Sequence, residues 1–284
     1  MRRPRVHRLA DLSFNRMVPN ILTLLALCAG MTAMRFAMNG NFVGAVFAII
    51  VAGIFDGLDG RIARLLKSTS SFGAELDSLA DFVSFGVAPA SVLYLWTMVR
   101  LHGAGWAIVL FYAVCCALRL ARFNTEAGTE RPAYVPPFFS GVPAPGGAGL
   151  VMVPMFLSFE WGDWLFRSPY LNALTVTGVA LLMVSKVPTV SLKRIRVPHH
   201  LVLPTLLGVG VLAAFVTTAP WPTLTAVGVV YVGSIPLTIR AYYRLRRAAG
   251  ERHNELADAA ARVLPPAAGH PLSGDEAPAN QWRH

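Results

Sequence analysis

Charged residues are scarce in this sequence, and acidic ones especially so. Aspartate and glutamate number 15 in 284 residues, charged residues of both signs make up 14%, and hydrophobic residues make up 55%. An ordinary soluble domain carries roughly 25% charged residues. The composition therefore excludes an ordinary soluble domain and predicts an all-α, polytopic integral membrane protein.

Cysteine is almost absent as well. The three cysteines are Cys28, Cys115 and Cys116, and all of them fall inside apolar runs without the spacing of a metal-binding motif. A disulfide framework is therefore not expected, and the cysteines are interpreted as small apolar packing residues. No internal repeat is evident either.

Apolar segments recur along most of the chain. About eight of them approach the length that a helix needs to cross a bilayer. They lie at residues 19–36, 41–58, 79–98, 104–118, 142–158, 171–187, 201–218 and 222–239. The chain is accordingly divided into a basic juxtamembrane segment at 1–18, a transmembrane domain at 19–240 and a cytoplasmic tail at 241–284 that is predicted to be disordered.

The basic residues predict the orientation of these spans. With a cytoplasmic N-terminus, all of the 25 lysines and arginines except Arg35, Arg100 and Arg167 fall on the cytoplasmic side. This asymmetry is the positive-inside pattern, and it predicts cytoplasmic N- and C-termini in an inner-membrane protein. Topology also accounts for the net charge of +10, so no nucleic-acid partner is expected.

Four aspartates interrupt the apolar pattern where the second predicted span ends and the third begins. Asp56 and Asp59 are three residues apart, and Asp77 and Asp81 are four apart, so each pair shares one face of a helix. Carboxylates at the edge of hydrocarbon are costly unless they are paired, hydrated or bound to metal. Two facing pairs would form a set of oxygen ligands that suits Mg²⁺ or Mn²⁺. The alternative is a set of interfacial charges that cap helices or form salt bridges, with Asp77 as a plausible cap.

The residues between the pairs extend this pattern to D-x2-D-G-x2-A-R-x8-G-x3-D-x3-D over residues 56–81. Gly60 leaves room for a ligand to touch the backbone. Arg64 lies one to two turns beyond the carboxylates and could hold a phosphate through two parallel hydrogen bonds. Two divalent ions between the pairs would neutralise a pyrophosphate, so the pattern predicts chemistry on a diphosphate.

The pattern resembles the signature of the CDP-alcohol phosphotransferases, and every specified position is met. The resemblance implies a membrane enzyme, expected to be a homodimer, that displaces CMP from a CDP-linked lipid with an alcohol. It implies that two divalent cations, Mg²⁺ or Mn²⁺, are held by Asp56, Asp59, Asp77 and Asp81, and that Asp81 is also the general base.

The same resemblance implies which residues contact the CDP-lipid. They are Asn20, Thr23, Gly60, Arg64, Ser70 and Gly73. For Asn20, capping of the first helix is a competing interpretation.

Four longer stretches resemble most closely the serine-using branch of that family, as found in bacteria and archaea. They lie at residues 71–81, 82–90 and 117–124 and, more loosely, at 139–145. This resemblance implies CDP-diacylglycerol and L-serine as substrates, and phosphatidylserine and CMP as products. Candidate serine-binding residues are Arg119, Arg122 and Asn124, because a guanidinium can clamp a carboxylate. A competing explanation is topology, since arginine at the cytoplasmic end of a span needs no substrate.

Three alternatives stay open at this point. The same chemistry with glycerol 3-phosphate or inositol 1-phosphate as acceptor would suit two arginines equally well. A divalent-cation transporter would use the aspartates as a transport site, although they cluster at one membrane face rather than at the midplane. An inactive scaffold is disfavoured by the complete set of aspartates.

Overall fold

The computed structural model describes residues 14–66, 68, 70–127, 139–185, 188–189, 202–236 and 238–240. Within these residues the chain is almost wholly helical, which confirms the predicted all-α class. The basic segment predicted at 1–18 lies largely outside the described residues, and the tail predicted at 241–284 lies wholly outside them. Both therefore stay predictions.

The described residues form the following helices. They are α1 (Phe14–Met38), α2 (Phe42–Leu65), α3 (Ser71–Asp81), α4 (Ala88–Trp96), α5 (His102–Ala127), α6 (Ala144–Val151), α7 (Val153–Trp161), α8 (Asp163–Phe166), α9 (Pro169–Val184), α10 (Val202–Thr218) and α11 (Pro220–Arg240). A π-helical segment, Phe82–Val87, joins α3 to α4, and a 3-10 turn, Met98–Leu101, precedes α5. Two short strands, β1 (Phe139–Ser140) and β2 (Pro188–Thr189), pair antiparallel, with Phe139 opposite Thr189.

Five of the described helical stretches are long and apolar enough to cross a membrane. They are Met17–Met38, Phe42–Leu65, Ser71–Trp96, Met98–Thr125 and Pro220–Arg240. They match the first four predicted spans and the last one, and α9 is a shorter apolar helix that overlaps the predicted sixth span. The protein is therefore a polytopic helical membrane protein, whereas the total of eight spans stays a prediction.

Proline explains where several helices begin. It occupies the first turn of α4, α6, α7 and α9, where its missing N–H would have no partner in any case. Pro154, in the first turn of α7, lies three residues after Val151, the last residue of α6. The predicted fifth span, 142–158, is for this reason divided between two short helices rather than formed by one.

The first two helices pack against each other along their lengths. Both helices bury small residues, which are Ala33 and Ala37 of α1 and Ala45 and Ala52 of α2. Their size lets the two backbones approach closely, as in other membrane helix pairs. α1 then contacts α3 and α4, so the end of α2 and the start of α3 are held against the same helix.

The third span begins earlier than the hydropathy predicts. Its first turns are polar, and the helix starts at Ser71 instead of near residue 79. Ser70 is the N-cap, and its hydroxyl oxygen accepts a hydrogen bond of 3.0 Å from the Gly73 N–H. This early start places Asp77 and Asp81 inside a regular helix.

Candidate active site

Three of the four aspartates converge at the junction of α2 and α3. One carboxylate oxygen from each of Asp56, Asp59 and Asp77 lies within 4.8 Å of the other two. Asp59 is buried, with 5% of its surface exposed, and the other two are half-buried. Helical spacing turns the two carboxylates of α2 toward the one on α3.

Asp81 joins this group from the last residue of α3. Its carboxyl contacts that of Asp56 and lies within electrostatic range of Asp77 and Asp59. Asp81 is also the residue from which the π segment continues. The four predicted carboxylates thus form one cluster between two consecutive helices.

Thr23 of α1 fixes the most buried of these carboxylates. Its hydroxyl donates a hydrogen bond of 2.7 Å to Oδ2 of Asp59 and also lies 3.1 Å from the Pro19 carbonyl oxygen. Thr23 is itself buried. The sequence predicted that Thr23 contacts the CDP-lipid, and the structure adds a hydrogen bond that orients Asp59.

The aspartate cluster fits a divalent-cation site. Carboxylates this close repel one another unless a proton or a cation lies between them. Carboxylate oxygens are the donors that Mg²⁺ and Mn²⁺ prefer. A hydroxyl that orients a buried carboxylate is typical of the support that surrounds metal ligands.

A cavity of about 310 Å³ opens beside the cluster. Its wall includes all of the residues predicted to contact CDP-lipid, together with two of the aspartates: Asn20, Thr23, Gly60, Arg64, Ser70, Gly73, Asp59 and Asp77. α1, α2, α3 and the loop before α3 each supply part of this wall. The structure therefore brings these residues, which span more than 50 positions of sequence, around one space.

Two glycines of the cavity serve different purposes. A Cβ added to Gly60 would meet no atom within 4 Å, so this glycine leaves space in the cavity rather than relieving a clash. A Cβ added to Gly73 would lie 3.1 Å from both Asn20 Oδ1 and Ser70 Oγ. Gly73 therefore lets these two polar side chains approach the start of α3.

The capping interpretations of Asn20 and Asp77 are wrong. Asn20 lies within α1, which begins at Phe14. Asp77 lies within α3, whose cap is Ser70. Neither side chain is at a helix start, so both are available to the cavity that they line.

The candidate serine-binding residues occupy different environments at the end of α5. The Nε atom of Arg119 is buried and has no hydrogen-bond partner among the residues that the structure describes, and the guanidinium lies within electrostatic range of Asp81. Arg122 Nη1 instead donates a 3.0 Å hydrogen bond to the Val184 carbonyl at the end of α9. Asn124 Nδ2 donates a 2.9 Å hydrogen bond to Ser78 Oγ. The structure thus places Arg119 within electrostatic range of the aspartate cluster.

Two tyrosines near Arg119 were missed by the sequence analysis. Tyr112 of α5 and Tyr231 of α11 both lie within electrostatic range of its guanidinium. Tyr231 also lines an apolar cavity of about 260 Å³ between α2, the π segment, α6 and α11. The available signal was a hydroxyl inside an apolar span, where polar atoms need a partner.

Comparison with known families settles the class of the protein. Residues 16–184 match the family model described as CDP-alcohol phosphatidyltransferase. The chain belongs to the CDP-alcohol phosphatidyltransferase family. Residues 200–236 match a second model, described as CDP-alcohol phosphatidyltransferase 2, so the resemblance drawn from the aspartate signature is confirmed.

Similar members of this family are known from several bacteria. A CDP-diacylglycerol–serine O-phosphatidyltransferase of Mycobacterium leprae is 41% identical over 239 residues, which cover 84% of this chain and 78% of the relative. The protein of the same description from Mycobacterium tuberculosis is 40% identical, over 80% of this chain and 79% of the relative. That from Bacillus subtilis is 35% identical, over 60% of this chain and 88% of the relative.

Proposed function

We propose that this protein is a CDP-diacylglycerol–serine O-phosphatidyltransferase, which converts CDP-diacylglycerol and L-serine into phosphatidylserine and CMP. The family and the aspartate cluster support the reaction class. The observation that carries the choice of serine is the identity of 41% across 84% of this chain with a relative of that activity. Residues 16–184, which match the family model, include the cluster, its cavity and the end of α5, and therefore every residue to which a role is assigned below.

The reaction is a single in-line displacement at phosphorus. The serine hydroxyl oxygen forms a bond to the phosphorus of the phosphatidyl group, and the bond from that phosphorus to the CMP oxygen breaks. The serine hydroxyl proton passes to the Asp81 carboxylate, and CMP leaves as the anion. A carboxylate that must accept a proton has to lie within hydrogen-bond reach of the attacking hydroxyl. The position of Asp81 at the edge of the cluster, beside Asp56 and toward Arg119, supports this role.

We assign two divalent cations, Mg²⁺ or Mn²⁺, to Asp56, Asp59, Asp77 and Asp81. When bound, such cations neutralise the pyrophosphate and stabilise the negative charge that develops on the leaving CMP. The chain itself orients the carboxylates that would bind these cations. Thr23 orients Asp59 through its hydrogen bond of 2.7 Å.

The CDP moiety is assigned to the 310 Å³ cavity. Arg64 binds phosphate oxygens, Gly60 leaves room for the ligand against the backbone of α2, and Asn20, Ser70 and Gly73 line the side formed by α1 and α3. The volume is within the range of about 300–1,000 Å³ that is usual for small-molecule sites. Holding the diphosphate against the aspartates converts the attack into an effectively intramolecular step.

The acceptor serine is assigned to the opposite side of Asp81. Arg119 binds its carboxylate, since a guanidinium whose buried Nε–H has no hydrogen-bond partner among the described residues is suited to a planar anion. Arg122 and Asn124 are assigned to the rim of the same site, where their contacts with Val184 and Ser78 hold the end of α5 in place.

We further propose eight spans with both termini in the cytoplasm, an active site that faces the cytoplasm, and a homodimer in the inner membrane. The distribution of lysine and arginine supports the orientation. A cytoplasmic active site is also where the soluble substrate serine meets a lipid substrate that stays in the bilayer.

The proposal is tested with purified protein in detergent micelles that contain CDP-diacylglycerol and Mn²⁺ or Mg²⁺. CMP release is measured with L-serine, glycerol 3-phosphate and inositol 1-phosphate in parallel. We expect release with serine and formation of phosphatidylserine. Release with glycerol 3-phosphate but not with serine would overturn the acceptor, and absence of release with every alcohol would overturn the reaction class.

A further inference from the structure

A π-helical segment follows directly after Asp81. It spans Phe82–Val87, and the backbone N–H of Ala88 bonds to the carbonyl of Val83, five residues back. Such wide turns are rare and are found frequently at functional sites. Since each residue of an α-helix turns the chain by about 100°, one extra residue changes markedly the direction in which α3 and α4 present their side chains. The segment therefore determines how the last turn of α3, which carries Asp81, is oriented relative to α4.

The side of the π segment that faces α1 is held by close packing and one hydrogen bond. Ser84 Oγ donates a 3.1 Å hydrogen bond to the Ala26 carbonyl, instead of returning to its own helix as serine often does. Gly30 lies against the same residue, because a Cβ added to it would come 2.8 Å from Ser84 Cα. α1 therefore leaves this residue almost no room to move.

The side that faces α5 is held by Tyr112. Its hydroxyl donates a 3.0 Å hydrogen bond to the Phe85 carbonyl, and the side chain is fully buried. Gly86 also approaches α5, since a Cβ added to it would lie 3.1 Å from Cys116 Sγ. Phe85 is one turn beyond Asp81, so the hydroxyl of Tyr112 bonds to the segment next to the proposed base.

The same tyrosine reaches the acceptor side of the site. Tyr112 lies within electrostatic range of Arg119, which is two turns further along α5. A shift of α5 relative to the π segment would therefore move Asp81 and Arg119 apart. The Tyr112 hydrogen bond is a direct link between the two elements that carry the proposed base and the proposed acceptor ligand.

We propose that Tyr112 is a positioning residue, whose hydrogen bond to Phe85 holds the π segment in the arrangement that directs Asp81 toward Asp56 and toward the acceptor. This inference rests on the proposed function, because it needs Asp81 to take part in the reaction. Tyr112 itself touches neither substrate.

The test compares two variants that each delete one buried hydroxyl bonded to a backbone carbonyl. Tyr112→Phe removes the hydroxyl beside the π segment. Thr97→Val is the matched control, since the buried Thr97 donates a 2.7 Å hydrogen bond to the Arg167 carbonyl at the opposite end of α4. Melting temperature, kcat, and KM for both substrates are measured for each variant and for the unchanged protein in the same detergent.

We expect both variants to lose a similar few degrees of melting temperature. Tyr112→Phe should also lose kcat by about 10- to 100-fold, because misplacement of a catalytic group by about an ångström has that effect. Its KM for CDP-diacylglycerol, and its affinity for that lipid in the absence of serine, should stay within about twofold, because the proposed CDP cavity is formed by other helices. Thr97→Val should keep its kcat.

The inference is overturned if Tyr112→Phe keeps its kcat, or if both variants lose kcat in proportion to stability. Should Tyr112→Phe fail to fold, Ser84→Ala replaces it. That variant releases the same segment from α1, and a normal kcat would overturn the inference equally. If the unchanged protein releases CMP with a different alcohol, the proposed acceptor is wrong, and the same comparison is made with the alcohol that reacts.

Discussion

Thr23 on α1 donates a hydrogen bond of 2.7 Å to Oδ2 of Asp59 on α2, and both side chains are buried. The two residues are 36 positions apart in sequence. Their contact joins α1, which lines part of the cavity, to the carboxylate of the cluster that is least exposed to solvent. This hydrogen bond fixes the orientation of the Asp59 carboxylate.

Replacement of Thr23 by valine should weaken cation binding. The loss of a supporting hydrogen bond to a metal ligand typically costs about 10- to 100-fold in metal affinity, so the Mn²⁺ concentration that gives half-maximal CMP release should rise by that factor. Thr23→Ser, which keeps the hydroxyl, should stay close to the unchanged protein. Thr32→Val is a matched control on the same helix, because Thr32 bonds only to the Cys28 carbonyl in the described structure. An unaltered Mn²⁺ requirement in Thr23→Val would contradict the assignment.

Removal of divalent cations should abolish the reaction. EDTA is expected to stop CMP release, and added Mn²⁺ or Mg²⁺ to restore it, because carboxylates within 4.8 Å of one another need positive charge between them to bind a diphosphate. The melting temperature should rise with added cation, as for any ligand that binds the folded state alone. In Asp77→Asn, added cation should neither restore CMP release nor raise the melting temperature. Full activity in EDTA after dialysis would exclude the cation site.

Gly60→Ala should separate substrate binding from stability. The added methyl group meets no protein atom within 4 Å, so the fold should be kept and α2 slightly stabilised, since alanine is favoured over glycine in a helix by about 1 kcal/mol. The methyl group would nevertheless occupy the cavity, and KM for CDP-diacylglycerol should rise by about tenfold, as expected for a cost of 1–3 kcal/mol from overpacking. Gly57→Ala is the control, because Gly57 is equally open and does not line the cavity. Equal KM values in the two variants would argue against this cavity as the CDP site.

Arg119→Gln should affect the acceptor rather than the lipid. Removal of a charged hydrogen-bond donor from a carboxylate costs about 1.5–3 kcal/mol, so KM for serine should rise by about 10- to 100-fold with little change in KM for CDP-diacylglycerol. Arg122→Gln should have a smaller effect on KM for serine and should lower the melting temperature, because Arg122 bonds the end of α9. If Arg122→Gln raised KM for serine more than Arg119→Gln did, the acceptor site would be assigned to Arg122 instead.

The hydrogen bonds of Asp163 predict that the stability of the fold depends on pH. Hydrogen bonds from Ser158 and then Arg167 hold the pKa of Asp163 below its ordinary value, and Arg167 Nη1 lies 2.8 Å from Asp163 Oδ2. A lowered pKa in the folded protein means that the stabilisation is present above the ordinary pKa of a carboxyl and is lost as the pH falls through the lowered value. Asp163→Asn should therefore lower the melting temperature at pH 7 and approach the unchanged protein under acid conditions. Asp163 is 55% exposed, so the effect should be small, and a constant difference at every pH would contradict this interpretation.

Local patterns in the chain were sufficient to predict much of this molecule. The apolar runs predict membrane helices, because a helix in lipid must satisfy its own backbone and present apolar side chains. The spacing of Asp56, Asp59, Asp77 and Asp81 predicts two facing pairs, because neighbours on a helix surface are set by its period. Both inferences depend on short-range geometry, which the order of residues determines directly.

Other features depend on which helices pack together, and only the tertiary structure decided them. Arg119 and Arg122 are alike in sequence context, yet one lies near Asp81 and the other bonds α9. The hydrogen bond from Thr23 to Asp59 likewise needs α1 to lie against α2. These contacts join residues far apart in the chain, so no local pattern encodes them.

The start of α3 and the π segment likewise separate what the local sequence predicts from what packing decides. Hydropathy placed the third span near residue 79, because it detects apolar length and not the polar first turns that Ser70 caps. Tyr112 appears in the sequence as one more aromatic residue of an apolar run, and its hydrogen bond to Phe85 exists because α5 packs against the turn after Asp81. The sequence by itself determined that carboxylates would gather at one end of two membrane helices. Packing against α1 and α5 decided how those carboxylates are oriented, since side-chain direction at the site depends on partners from distant parts of the chain.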